Sequence, residues 1–151
     1  MSKQWQLRRG TKAENDIFTG AEGEVTMCTD TKGLRVHDGT TQGGFDIDTV
    51  VAFQAPTADN NYTWYRKYAS GWVEQGGLLG TNVSSQTITL PIEMSDTYYQ
   101  IMLSAGKYSG SGTGGYEAMP AWGQRTKTTF YVDSRSGSEI TGNWQVSGMA
   151  A

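Results

Sequence analysis

Between Gln6 and Gly44 apolar and polar residues alternate in short runs broken by glycine-bearing turns, and the runs hold too few apolar side chains to close a core of their own. In QWQLRR, Trp5 and Leu7 take one parity while Gln4, Gln6 and Arg8 take the other; GEVTMCT repeats the pattern with Val25 and Met27, GLRVHD with Leu34 and Val36, and FDIDTVV with Phe45 and Ile47. Successive side chains of a strand point to opposite faces, so a period of two predicts half-buried strands. Asp30-Thr31-Lys32-Gly33 and Asp38-Gly39 supply hairpin turns, because glycine accepts positive φ and aspartate bonds its own backbone. Ala13 to Phe18 has room for one helical turn, which Gly20 ends. The apolar anchors are Trp5, Leu7, Ile17, Phe18, Val25, Met27, Leu34, Val36, Phe45 and Ile47. That is marginal for a segment of about fifty residues, since small units bury too little of their surface. Burial against identical copies removes the shortfall, and the pattern therefore favours an oligomer.

At 151 residues the chain has length for one ordinary domain or two small ones. Hydrophobic residues make up only 36%, yet five Trp and eight Tyr are too many for a disordered chain. The net charge of −3 gives no basic field for nucleic acid or acidic membranes; Lys3, Arg8, Arg9 and Lys12 read as a solvated strand face and its turn. Cys28 is the only cysteine, which excludes an intrachain disulfide and a CxxC metal site; its place beside Met27 fits a small buried hydrophobe. The opening ten residues are polar and Arg-rich, unlike a signal peptide, and no apolar run approaches membrane-spanning length. The expectation is a soluble product made in the cytoplasm, without membrane insertion.

QAPTADNN, residues 54–61, interrupts the alternation with a proline and two asparagines and reads as a linker. The expected division is an N-terminal β unit at 1–53 and a second β unit at 62–151. In the latter, strands are expected through YTWYRKY, GWVEQGG, SSQTITL, YYQIMLSAG, KTTFYV and ITGNWQVSG. Six strands in some ninety residues suggest a β-sandwich or small barrel, with no helical period.

Two sets of motifs carry a family resemblance. RRGT at Arg8–Thr11, AEND at Ala13–Asp16, FTGAEGEVT at Phe18–Thr26 and LRVHDGTTQGG at Leu34–Gly44 resemble the N-terminal domain of phage major tropism determinant and related tail-fibre proteins. YRKYASGWVEQGG at Tyr65–Gly77, ITLPIEMSDTYYQIML at Ile88–Leu103 and NWQVSGMAA at Asn143–Ala151 are similar in pattern to tail-fibre tip domains. The resemblance implies a mostly β, intertwined homotrimer: a small β-prism-like N-terminal domain followed by a β-sandwich-like tip. It also implies a place in the virion and two kinds of partner, other tail proteins and a bacterial surface receptor (polysaccharide, lipopolysaccharide or outer-membrane protein). It supplies no fixed set of contact residues.

Asp46 and Asp48 share a strand face, but a glycosidase needs two carboxylates held about 5 to 9 Å apart across a sugar-sized groove, and nothing marks such a pair. No repeat suggests the long β-helix of a fibre depolymerase. His37, the only histidine, has no partner for a triad or zinc site; it reads as half exposed beside a DG turn, with an ion on a three-fold axis as the alternative. Gly110 to Gly115 matches G-x-G-x-x-G, but Pro120 blocks the helix that a phosphate site needs. The Tyr, Ser and Gly of the loop from Lys107 to Glu117 suit an adaptable binding loop or a plain hairpin tip. Among the aromatics, Trp72 and Trp144 are expected in the core. Trp122, read as a loop residue beside Pro120 and Gly123, is expected outside, and with Tyr108 and Tyr116 it forms the expected receptor-contact patch. The expected function is host attachment without catalysis, cofactor or metal; a capsule depolymerase and a structural connector of the tail are the alternatives.

Overall fold

The computed structural model describes residues 6–80, 84–105, 120–134 and 142–151. The chain is mostly β and divides into two units: residues up to Val51 with Tyr68–Ser70, and Ala52–Lys67 with Gly71–Ala151. The first unit holds a four-stranded sheet ordered β1-β2-β3-β4, with β1 at Arg8–Gly10, β2 at Val25–Cys28, β3 at Leu34–Val36 and β4 at Phe45–Ile47. β1 runs parallel to β2, and the other pairs are antiparallel. One helix, α1 at Lys12–Asp16, makes the crossover from β1 to β2. Thr11 starts it through a capping box in which the Glu14 amide donates to the Thr11 hydroxyl and the Glu14 carboxylate accepts from the Thr11 amide.

This sheet buries its polar face. Thr26, Arg35 and Asn15 are 0%, 4% and 4% exposed, whereas Cys28 is the only buried hydrophobic side chain among the unit's described residues. Arg35 Nη2 donates to Asp16 Oδ1 at 2.6 Å and Nη1 to the Gly43 carbonyl at 3.1 Å. Its Nε lies 2.7 Å from Asp46 Oδ1, as an ion-pair contact rather than an aligned hydrogen bond. The Asn15 amide donates to the carbonyls of Gly10 and Thr11 at 3.0 and 2.9 Å, tying α1 back to the end of β1. His37, expected half exposed, is instead 1% exposed. The Gly20 amide donates to its Nδ1, its Nε2 pairs with the Thr26 hydroxyl at 3.0 Å, and the Phe18 ring meets it edge-on. The turn reading put His37 at the surface; its parity, shared with Arg35, puts it inside.

FDIDTVV, expected as one strand, is two. β4 ends at Ile47 and pairs with β3, while β5, Val50–Gln54, belongs to another sheet. Asp48 stands at the break, accepting from the amide and hydroxyl of Ser70.

The second unit is two sheets with a shared core. One is ordered β5-β6-β7-β12-β9, with β6 at Trp64–Tyr68, β7 at Trp72–Leu78, β9 at Gln100–Ala105 and β12 at Gly142–Met149. The other is ordered β10-β11-β8, with β8 at Ser85–Thr89, β10 at Pro120–Arg125 and β11 at Thr129–Ser134. Val73, Trp144 and Val146 from the first sheet meet Ile88, Phe130 and Val132 from the second, joined by Leu79, Leu90, Met94 and Tyr99. Phe130 and Trp144 pack edge to face with centroids 5.8 Å apart. Residues 55–63 connect β5 to β6, with a 3-10 turn at Ala58–Asn60. Trp72, expected in the core, is 40% exposed. On β7 the inward parity belongs to Val73, Gln75 and Gly77, so Trp72 and Gly76 point the other way.

Among the described residues one polar side chain is sealed in this core. Gln75, 0% exposed, donates from Nε2 to the Ile92 carbonyl and accepts from the Ile92 amide through Oε1, both at 2.9 Å. It thereby satisfies both backbone groups of a residue between β8 and β9. Gln75→Leu keeps the volume but strands that pair, so it is expected to destabilise the second unit by about 1–3 kcal/mol in urea unfolding; an unchanged midpoint would refute the tether.

Acid should act on the first unit. Hydrogen bonds hold four carboxyls below their ordinary range: Glu14 from the amide and hydroxyl of Thr11, Asp16 from Lys12 and then Arg35, Asp30 chiefly from the Lys12 amide, and Asp38 from the amide and hydroxyl of Thr41 and the amide of Thr40. A carboxyl with a depressed folded pKa contributes stability above its unfolded value, about 4, and loses it as pH falls further. The thermal midpoint is therefore expected to be level from neutrality to about pH 5 and to drop below about pH 4. Asp38→Asn should lower the neutral midpoint and make the acid drop shallower, readable by calorimetry across pH.

Candidate functional site

Two surfaces stand out, one in each unit. In the first, register assembles an apolar face on the back of the buried polar layer. Val25 pairs with Val36 and Val36 with Phe45; Met27 pairs with Leu34 and Leu34 with Ile47. Residues directly opposite one another in a sheet share a face, so these six side chains form two parallel rows. Val25, Met27, Leu34 and Val36 are half-buried, whereas Phe45 and Ile47 are 57% and 43% exposed. Val50, Val51, Ile17 and Leu7 add further exposed apolar surface to this unit. Taking such a side chain from full exposure to full burial is worth about 1.5–3 kcal/mol, and roughly half of that is still to be gained at Phe45 and Ile47. The shortage of buried anchors expected from the alternation is thus visible as an uncovered face.

In the second unit, Trp122 lies on β10 and not in a loop. Pro120 is the first residue of that strand, and β10 is the edge of its sheet, the place where a missing amide costs no ladder bond. A register shift between Gly123 and Arg125 marks an irregularity in its pairing with β11. Trp122 is 47% exposed, and the Arg125 guanidinium sits 5.1 Å from its ring centroid and 5.6 Å from that of Tyr99. Arg125 also donates to the Tyr99 carbonyl at 2.9 Å. Burial pushes the Tyr99 phenol upward, with Arg125 opposing, and its hydroxyl donates to the carbonyls of Thr126 and Thr129. Tyr99 is therefore a bracing group, while Trp122 presents ring surface to solvent. Tyr108, Tyr116 and the loop from Lys107 to Glu117 lie outside the described residues.

Neither surface has the features of a reaction centre. Asp46 is committed to Arg35 and Asp48 to Ser70. His37 is enclosed among Phe18, Gly20 and Thr26. Among the described residues no group of His, Cys, Asp and Glu is placed to hold a metal ion, and no helix is long and apolar enough to cross a membrane.

Residues 6–41 match the family model of the Major tropism determinant N-terminal domain. Over 115 residues, 67% of the chain, the protein is 36% identical to the tail fiber receptor-binding protein of Bordetella phage BPP-1, and it spans 29% of that relative's length. Among solved structures, a P. aeruginosa R2 pyocin fiber aligns with 66% of this chain and 26% of its own at 16% identity and a TM-score of 0.47. The Major Tropism Determinant P3c variant aligns with 42% of this chain and 20% of its own at 32% identity and a TM-score of 0.28. The N-terminal segment is thus matched by the Major tropism determinant N-terminal domain family, in a chain similar over two thirds of its length to a phage tail fiber receptor-binding protein.

Proposed function

We propose that this chain is part of a phage tail fibre that attaches the virion to a bacterial surface, working as a homotrimer without catalysis. The 36% identity over 115 residues to a tail fiber receptor-binding protein carries this reading. The first unit's apolar face supports the oligomer: Phe45 and Ile47 are left to solvent in the single chain, and closed three-fold packing gives three such faces one shared interior. On this reading residues 1–53 are the trimerising domain, 62–151 the tip, and 54–61 the segment between. The receptor is a surface polysaccharide, lipopolysaccharide or outer-membrane protein; the remaining partners are tail proteins. Trp122, with Tyr108 and Tyr116, is the proposed contact patch. Three tips per fibre raise the avidity of weak single contacts.

Light scattering is expected to give a mass three times that of the 16.5 kDa chain. Phe45→Glu places a charge on the shared face and should shift that mass toward the monomer. Fluorescently labelled chain is expected to stain susceptible bacteria and to block adsorption of the phage, with staining reduced by Trp122→Ala. Release of reducing sugar ends from the cells would establish a depolymerase instead, and binding to purified tail components without staining cells would establish a connector.

A further inference from the structure

The outward face of the five-stranded sheet carries a groove of about 340 Å³, within the range of about 300–1,000 Å³ usual for small-ligand sites. Strand register sets its floor. Trp64, Gly76, Gln145 and Met102 stand in one cross-strand row, and Leu78, Asn143 and Ser104 in the next. Gly76 explains the position of the indole: a Cβ at this residue would come within 2.8 Å of two Trp64 ring carbons. The ring is therefore laid against the bare backbone of β7, in a space that only glycine leaves open. Trp64 keeps intermediate exposure, and Tyr62 and Met102 beside it are 49% and 52% exposed.

The rim has different chemistry. The Gln145 and Asn143 amides and the Ser104 hydroxyl line the groove, and among the described residues no Asp, Glu, Lys, Arg or His does. An amide both donates and accepts, and a hydroxyl does the same. Among the described residues the combination is an aromatic platform with neutral polar groups at its edge and no charge. Stacked nucleic-acid bases require a positively charged groove to track the backbone, and the lining offers none. An acyl chain has no use for the polar rim. A pyranose ring has both matching features, an apolar face of C–H bonds and a belt of hydroxyls.

We propose that this groove binds one hexopyranose unit of a neutral glycan, its C–H face stacked on Trp64 and its hydroxyls bonded to Gln145, Asn143 and Ser104. The proposal deepens the reading of the chain as an attachment protein and rests on it, but it names a surface other than Trp122 and excludes acidic sugars as the preferred ligand.

Ligand-observed saturation-transfer NMR on the full chain tests it, with the methyl glycosides of glucose, galactose and mannose as neutral probes and that of N-acetylneuraminic acid as the anionic one. Transfer to at least one neutral probe is expected, with little to the anionic one. Binding should weaken about tenfold in Trp64→Ala and remain largely intact in Trp64→Tyr, which keeps a ring against Gly76. Gln145→Ala, on the groove floor and outside the core, should weaken it severalfold; it carries the test if Trp64→Ala loses its near-ultraviolet circular dichroism. Absence of transfer from every neutral probe, or transfer undiminished in both alanine variants, overturns the proposal. Cell staining that persists without sugar transfer removes the groove and leaves attachment standing, whereas sugar transfer without staining does the reverse.

Discussion

The guanidinium of Arg35 decides what the first unit can be. It is buried against two carboxylates and a backbone carbonyl on one side of a sheet only four strands wide. A buried charge is tolerated where it is paired and hydrogen-bonded, and removing its partners is costly. With Arg35, Thr26, Asn15 and His37 occupying the covered side, strict alternation leaves Val25, Met27, Leu34, Val36, Phe45 and Ile47 nowhere to go but the other. The unit is ordered by polar contacts and is unfinished hydrophobically. Its internal hydrogen bonds fix the shape of a surface whose burial energy remains to be gained elsewhere.

The second unit solves the same problem in the ordinary way, with two sheets closing on apolar side chains. Its distinctive device is a pair of adjacent glycines. Gly76 and Gly77 point to opposite faces of β7, and each makes room for an indole: Trp64 outside, Trp144 inside, where a Cβ on Gly77 would come within 2.9 Å of the ring. The backbone of β7 thus lies between a core tryptophan of β12 and a half-buried one of β6. Substituting either glycine by alanine would act on a different face, so the two positions separate packing from surface chemistry.

Much of this was legible in the alternation. The period of two located most of the strands, though not β10 or the break between β4 and β5; the count of anchors anticipated the uncovered face, and the place of Cys28 beside Met27 anticipated its burial at 2% exposure. The failures have identifiable causes. Trp72 and Trp144 both sit in alternating strands, and hydrophobicity cannot say which parity faces the core; neighbours Val73 and Gln75 claimed it on β7. His37 was judged by the turn that follows it rather than by the parity it shares with Arg35. Pro120 suggested a loop, although the first residue of an edge strand tolerates proline equally well. The groove under Trp64 was not foreseen, because it depends on register across β6, β7, β12 and β9, which no local pattern encodes. The glycine pair was visible as a motif, and only the cross-strand partners revealed its use.

The place of β12 in the five-stranded sheet bears on how the protein comes into being. This strand follows all the others along the sequence, yet in space it lies between β7 and β9. As the polypeptide leaves the ribosome, β7 and β9 emerge early and wait, each with an open ladder, for a partner separated from β7 by more than sixty residues. Pairings so distant in sequence close slowly, because loop entropy must be overcome before contacts reward it. Completion of this sheet therefore waits on β12, and until it pairs, β7 and β9 present open edges to stray strands.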